Sequence, residues 1–253
     1  MFALQRQQRI AEKLRTFGRV AVADLAREFE TSQETIRRDL AALEEAGGVR
    51  RVHGGAVDAA RASAPEPTMA ARASLRVAEK RRIAQAALAH MPARGTVLLE
   101  SASTSLVLAE MLPAGLPVAI VTNGIEIAHH LAARDFEVVM VGGRVRNRSL
   151  ATLDDWPEAA LSGLRADVAF LGTLGFTVAA GLTAPDLPDA AIKRRCLAVA
   201  ERNILLAESA KFGAVAPYRY AGIADFDLVI TDAGLGEAAA EEIRAAGTDV
   251  IRA

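Results

Sequence analysis

The sequence predicts an α/β protein in two parts: a small helix-turn-helix unit with a β-hairpin wing, and a larger domain on a mostly parallel sheet. Three observations predict it. Between residues 20 and 57, two short helical patterns, a two-residue gap and a Gly-Gly hairpin follow one another. Next, DAARASAPEPTMAARA (residues 58–73) breaks all apolar periodicity. Beyond it, short and continuously apolar runs alternate with amphipathic stretches, the pattern of strands buried on both faces between covering helices. At 253 residues, 51% hydrophobic and 24% charged, the chain is long enough for two domains, one with a substantial core. The expected division is residues 1–58, a linker over 59–77, and residues 78–253.

Bulk charge favours no partner. The formal net charge is −1, and residues 1–60 carry ten Lys and Arg against nine Asp and Glu. A basic surface must therefore come from placement. The single cysteine, Cys196, excludes an intramolecular disulfide and a Cys-rich metal site, and its apolar surroundings (IKRRCLAVA) suit a small buried hydrophobe. No apolar run approaches the ~18 residues of a membrane span. The N-terminus lacks the apolar stretch of a signal peptide, so a cytoplasmic protein with no membrane partner is expected.

The elements of the first part follow in order. Leu4, Ile10, Leu14 and Phe17 repeat with helical spacing up to Gly18. Val20-Ala21-Val22 is a short β-like piece, and ADLAREFE gives a brief helix with Leu25, Ala26 and Phe29 on one side. TSQETIRRDL follows from Thr31, with Ser32 or Thr31 as cap and Glu34 at capping-box spacing from Thr31. Ile36, Leu40 and Leu43 form a narrow apolar stripe, and Glu34, Arg37, Arg38 and Ala41 point away from it. Gly47-Gly48 stops this helix. VRRVHGGAV then reads as a hairpin, with Gly54-Gly55 at the turn and Arg50, Arg51 and His53 presented beside the helix. Two short helices with a tight turn, the second basic on its outer face, make a DNA-reading arrangement. His53 has no second ligand at suitable spacing, so no metal is expected.

Residues 6–57 resemble the winged helix-turn-helix of the DeoR family of bacterial transcription regulators, with TIRRDL and HGGA unbroken. The resemblance implies DNA contacts from Gln33, Thr35, Arg37 and Arg38, with Ser32 at the cap, and from Arg50, Arg51 and His53 on the wing. Gln33 and Thr35, near the helix start, are placed for base edges. Wing arginines typically hold phosphates. Gly48 stands where that family more often has leucine or isoleucine.

In the second part, helical patterns cover residues 79–89, 104–112, 126–133, 190–200 and 238–245, with another around Trp156 to Leu164. Strand patterns are TVLLE, PVAIVT, FEVVMVGG, DVAFLG, NILLAES, DLVITD and DVIR. Ligands of such sheets bind at the carboxyl ends of the strands. There the chain offers Ser101-Ala102-Ser103-Thr104-Ser105 opening a helix, Asn123-Gly124, Gly142-Gly143 with Arg144, and Lys211. Hydroxyls, free N–H groups and cations suit a phosphorylated small ligand. Arg72, ahead of the next helix, is expected in solvent.

This part also resembles the DeoR family, whose C-terminal domain is a sugar-phosphate sensor related to ribose-5-phosphate isomerase. VTNGIEIA, VGGRVR, ADVAFLGTLGF, GLTAPD, AIKRR and ESAKFG carry the likeness. It implies that Glu100, Ser101, Ala102, Ser103, Thr104, Thr122, Asn123, Gly142, Gly143 and Lys211 line an effector pocket. The departures are Glu100 and Ala102 in a loop that usually reads Asp-x-Gly-Thr-Thr, Leu174 where Asp or Asn is common, and a glycine missing after Ser149. The expected protein is a repressor of sugar-metabolism genes, a homodimer or homotetramer on a double-stranded operator, modulated by a phosphorylated sugar and holding no other cofactor. The alternative is a sugar-phosphate isomerase or transferase with a DNA-binding appendage, using Asp186, Asp189, Lys193 and Lys211 for acid–base work. Leu174 removes a carboxylate from that region, and no P-loop, dinucleotide or G-x-S-x-G fingerprint appears, so no catalytic residue is assigned.

Overall fold

The computed structural model describes residues 2–17, 19–52, 54–58, 66–153, 161 and 163–253. The chain forms two compact units, Met1–Pro65 and Glu66–Ala253.

The N-terminal unit runs α1 (Ala3–Phe17), β1 (Arg19–Ala21), α2 (Val22–Glu28), α3 (Gln33–Glu45), β2 (Val49–Val52) and β3 (Gly55–Asp58). The strands form an antiparallel sheet in the order β1-β3-β2. Ile10, Leu14, Val22, Leu25, Phe29, Ile36, Leu40, Val49 and Ala56 make its core, with Leu43 packed partly against it. The stripe on α3 is thus buried as its spacing requires.

One local alternative is settled, and two details differ from expectation. Ser32, not Thr31, caps α3: its Oγ accepts from the Thr35 N–H at 3.1 Å. Glu34 is consequently free of the capping box and faces Arg37 and Arg38 instead. At the hairpin only Gly54 takes a positive φ (+80°). Gly55 lies inside β3, where a Cβ would meet the Val20 carbonyl oxygen at 2.1 Å, so strand packing demands its glycine. Gly47, at φ +79°, ends α3 in the left-handed conformation.

The C-terminal unit begins with α4 (Met69–Ser74), α5 (Val77–Leu88), β4 (Gly95–Leu99), α6 (Ser103–Met111), β5 (Val118–Thr122), α7 (Ile125–Ala132) and β6 (Glu137–Met140). There follow a hairpin of β7 (Arg144–Arg146) and β8 (Ala151–Leu153), then β9 (Val168–Leu171), β10 (Gly175–Thr177), β11 (Gly181–Ala184) and α8 (Leu187–Ala198). The chain closes with β12 (Asn203–Leu206), β13 (Tyr218–Ala221), β14 (Leu228–Thr231), α9 (Glu237–Ala245) and β15 (Asp249–Arg252). Seven strands form one sheet, ordered β15-β14-β12-β9-β4-β5-β6, and every neighbouring pair in it is parallel. Val97, Leu99, Ile120, Phe170, Ile204 and Ile230 face one core, shared with α5, α6 and α7. Leu98, Val121, Ala169, Leu171, Leu205 and Val229 face the other, shared with α8 and α9. Cys196 is buried there, and that burial pushes its thiol pKa up.

Chain order fixes where a ligand site can form. From β4 the chain steps to β5 and β6 on one side, then crosses to β9, β12, β14 and β15 on the other. The loops after β4 and β9 therefore part from each other at a topological switch point and leave a crevice.

The residues expected as linker up to position 77 are already folded from Glu66 onward. Thr68 caps α4, its Oγ1 accepting from the Ala71 N–H at 3.3 Å, and Met69 is buried. Pro67 directly precedes the cap, where it costs no helical hydrogen bond. Arg72 is not in solvent: it pairs with Glu66 at 2.8 Å, its side chain 15% exposed. The glycine missing after Ser149 leaves Leu150 in the left-handed region, at φ +48°, a conformation costly for a branched side chain. The helix expected around Trp156 falls mostly outside the described residues. The three-stranded antiparallel sheet β10-β11-β13 was not anticipated from the sequence.

α3 is held in place by charge as well as by its stripe. Asp39, 3% exposed, accepts from Arg6 Nε at 2.5 Å and from Gln7 Nε2 at 3.0 Å, tying α3 to α1. Asp39→Ala removes the buried acceptor shared by Arg6 and Gln7 and should destabilise the N-terminal unit by about 1–3 kcal/mol. Urea unfolding followed through amide exchange of Ile36 and Leu40 checks this; unchanged protection of those amides would contradict it.

Candidate functional site

The outer face of α3 carries its polar residues in the open. Arg37 and Arg38 side chains are 57% and 81% exposed, each 3.7 Å from Glu34. Arg37 Nη2 donates to Gln33 Oε1 at 3.4 Å, and the Thr35 and Ser32 hydroxyls lie 2.9 Å apart. Pairs this exposed are worth at most about 1 kcal/mol, so neither guanidinium is committed. A phosphate or a guanine edge can take either from Glu34. Ser32, Gln33, Thr35, Arg37 and Arg38 thus share the start and outer face of one helix, as expected.

Arg51 was expected on the wing as a phosphate contact, and its backbone N–H and its Nε both donate to Glu44 of α3, at 2.8 and 2.6 Å. These donors hold the Glu44 carboxyl pKa below its usual range. The tie fixes the wing strand against α3 while leaving the Arg51 side chain half exposed. Sequence reasoning missed Glu44 because the pairing crosses from helix to strand at no periodic spacing. His53 and the side chain of Arg50 lie outside the described residues.

In the C-terminal unit a cavity opens at the switch point. Its wall includes Ser101, Ala102 and Ser103 after β4, Gly172, Thr173 and Leu174 after β9, and Asp189, Lys193 and Lys211. Glu66, Arg72 and Ser149 complete it. Of the expected effector residues, Ser101, Ala102, Ser103 and Lys211 line the cavity. Glu100, Thr104, Thr122, Asn123, Gly142 and Gly143 do not. Each has another place. Thr122 Oγ1 donates to the Leu99 carbonyl at 2.6 Å, and Asn123 Oδ1 accepts from the Ser101 N–H at 2.9 Å. Both brace the loop that forms the wall. Gly143 shapes the start of the β7–β8 hairpin, where a Cβ would meet the Leu153 carbonyl oxygen at 2.6 Å, and Gly142 is exposed. Thr104, on the first turn of α6, is buried with its Oγ1 unpartnered among the described residues.

Glu100 does not face the ligand space. Its Oε2 accepts from the Gly172 N–H at 3.1 Å, and its Oε1 pairs with Lys193 Nζ at 2.7 Å, both side chains buried. Lys193 also donates to the Gly172 carbonyl at 3.1 Å, as does the Tyr220 hydroxyl at 3.0 Å. Burial alone would lower the Lys193 pKa, but the Glu100 and Asp189 carboxylates beside it raise it instead. Burial pushes Asp189 up to about 6 despite that lysine. Ala102, the residue in place of a loop glycine, adopts ordinary extended angles (φ −132°, ψ 151°). Its methyl fills the room left by Gly172, where an added Cβ would sit 2.4 Å away.

On the far side, Glu208 pairs with Lys211 at 2.8 Å and with the fully buried Lys80 at 2.7 Å. Desolvation opposes its charge, but these two ammonium groups hold its pKa down at about 2. Burial lowers the Lys211 pKa, with Glu208 opposing. Ser149 is 3% exposed and its Oγ has no partner among the described residues. Beside the carboxylates of Glu66 and Asp189, the wall presents hydroxyls, two lysines and an arginine, donors that an anion can use.

Residues 6–61 match the DeoR-like helix-turn-helix domain, and residues 75–233 match the DeoR C terminal sensor domain. The chain belongs to the DeoR family of transcription regulators. It is 31% identical over 233 residues to the uncharacterized HTH-type transcriptional regulator FruR of Bacillus subtilis, covering 92% of each chain. To the HTH-type transcriptional regulator GlpR of Haloferax volcanii it is 31% identical over 251 residues, 99% of this chain and 98% of that one. To the transcriptional repressor AccR of Agrobacterium fabrum it is 31% identical over 231 residues, covering 90% and 89%. A more distant likeness links it to ribose 5-phosphate isomerase A from Neisseria gonorrhoeae, at 16% identity and a TM-score of 0.41 over 53% of each chain. As a DeoR-family protein it is a DNA-binding regulator, and no helix among its described residues is long and apolar enough to cross a membrane.

The placement of Arg51 makes a test. Arg51→Ala should weaken binding to specific and random DNA alike and reduce the slope of log affinity against log salt by about one unit. A changed preference at one base pair with the slope intact would overturn the phosphate assignment.

Proposed function

We propose that this regulator is a repressor of sugar-metabolism genes whose hold on a double-stranded operator is altered by a phosphorylated sugar bound in the C-terminal unit. The observation that carries the reading is the wall of the switch-point cavity. Ser103 at the start of α6, Arg72, Lys211 and the Ser149 hydroxyl, which has no partner among the described residues, converge on one space. That donor set answers a phosphate better than a neutral ligand.

Lys193 argues against the isomerase alternative. Its ammonium is kept charged by Glu100 and is spent on the Gly172 carbonyl, so it offers no lone pair to a substrate proton. Glu100, with both oxygens engaged, offers none either. The repressor reading is supported by relatives named as regulators and, in one case, as a repressor. Action on paired half-sites about 34–36 Å apart requires two recognition helices, so the working form in the cytoplasm is a homodimer or homotetramer. Ligand alters DNA binding only as far as it prefers one arrangement of the chain over another.

Lys211→Met removes a charge-assisted donor, and Glu208 keeps Lys80 as its partner in that variant. The change should cost about 1.5–3 kcal/mol of affinity for a phosphorylated sugar. Calorimetric titration of wild type and variant with phosphorylated and unphosphorylated forms of the same sugars checks this. Equal affinities for both forms in wild type would overturn the phosphate reading.

A further inference from the structure

The cavity is too small for the ligand assigned to it, and a buried carboxylate in its wall is already paired with arginines. Its volume is about 30 Å³, room for roughly two waters at 10–15 Å³ each. Glu66, with its side chain 9% exposed, stands in the cavity wall and bridges two arginines. One carboxylate oxygen takes Arg72 Nη1 at 2.8 Å, and the other takes Arg146 Nη2. Arg148 Nη1 donates to the Glu66 carbonyl, and the Met69 N–H donates to the Arg148 carbonyl at 2.7 Å. The cluster is under-satisfied: Arg72 Nε, Arg146 Nη1 and Ser149 Oγ are buried without hydrogen-bond partners among the described residues. A carboxylate supplies two oxygens on a short planar fork. A phosphoryl group supplies three in a tetrahedron and a second negative charge, which suits these vacant donors better.

We propose that Arg72 and Arg146 form an anion subsite of the sensor pocket, that Glu66 occupies it in the ligand-free fold, and that the phosphate of the ligand takes it by displacing Glu66. The proposal rests on the sugar-phosphate reading above and adds its route to the rest of the chain. Glu66 is the first residue of the C-terminal unit. Its release frees the stretch from Glu66 to the start of α4, immediately after the segment that leads from the DNA-binding unit. Asp186, which pairs with Arg146 Nε at 2.9 Å, keeps that guanidinium in place when Glu66 leaves.

An occupied subsite makes the ligand compete with Glu66, so removing the carboxylate must strengthen binding. The test titrates the full chain, as wild type, Glu66→Gln, Glu66→Ala and Arg72→Ala, with inorganic phosphate and with a panel of pentose and hexose phosphates. Amide exchange of Met69 is followed in each without ligand. The expected result is about tenfold tighter anion binding in both Glu66 variants, weaker binding in Arg72→Ala, and faster Met69 exchange in the Glu66 variants. Anion binding in wild type that Glu66→Ala weakens or leaves unchanged overturns the displacement while the sugar-phosphate reading stands. Absence of binding of any of these anions to wild type and to both Glu66 variants overturns that reading, and the subsite with it.

Discussion

Gly172, at the end of β9, is held from both sides by groups that never reach solvent. Glu100 takes its N–H, while Lys193 and Tyr220 share its carbonyl. The two side chains that face each other across it form an ion pair with each member buried. Such a pair contributes little net stability, but losing either member would leave a bare charge in the core. Its effect is geometric. It locks the loops after β4 and β9 together at their bases, and the switch in strand order parts them above. The cavity exists because these two loops are pinned below and divergent above. Ser101 and Ser103 on one side and Thr173 on the other are set by that anchor.

The N-terminal unit uses charge in the same spirit but nearer the surface. Asp39 ties the inner face of α3 to α1, and Glu44 ties its end to the wing. These carboxylates orient the reading helix and its hairpin. Arg37 and Arg38, on its outer face, have Glu34 as a weak, exposed partner. In the C-terminal unit Glu66 extends the pattern: a carboxylate rests on two arginines, Arg72 and Arg146, until a better anion arrives.

Period-based features were legible from the residues alone. The Ile36–Leu40–Leu43 stripe, the Ser32 cap and the seven parallel strands follow from local spacing and local chemistry. Features that join distant positions were not. Glu100 read as a ligand-facing carboxylate because its position after β4 is visible, whereas Lys193, its partner, lies 93 residues later in α8. Thr122 and Asn123 sit at a strand end as expected, but their hydrogen bonds run to Leu99 and Ser101 within the protein. Arg72 looked solvated because Pro65 and Pro67 hid the short helix behind them, and nothing local betrays Glu66 as its partner. The missing glycine after Ser149 was legible, and its consequence is the left-handed Leu150. The β10-β11-β13 sheet has strands of three or four residues, too short to announce a period.

The central claim is that a phosphorylated sugar, sensed in the C-terminal pocket, governs DNA binding. It is tested most directly by selecting DNA fragments from a random pool with the full chain. Their binding is then measured by fluorescence anisotropy as sugar phosphates and their unphosphorylated counterparts are added. At least one sugar phosphate is expected to shift the affinity severalfold while its unphosphorylated counterpart does not. An affinity that no sugar phosphate moves, or that the neutral sugar moves equally, would contradict it.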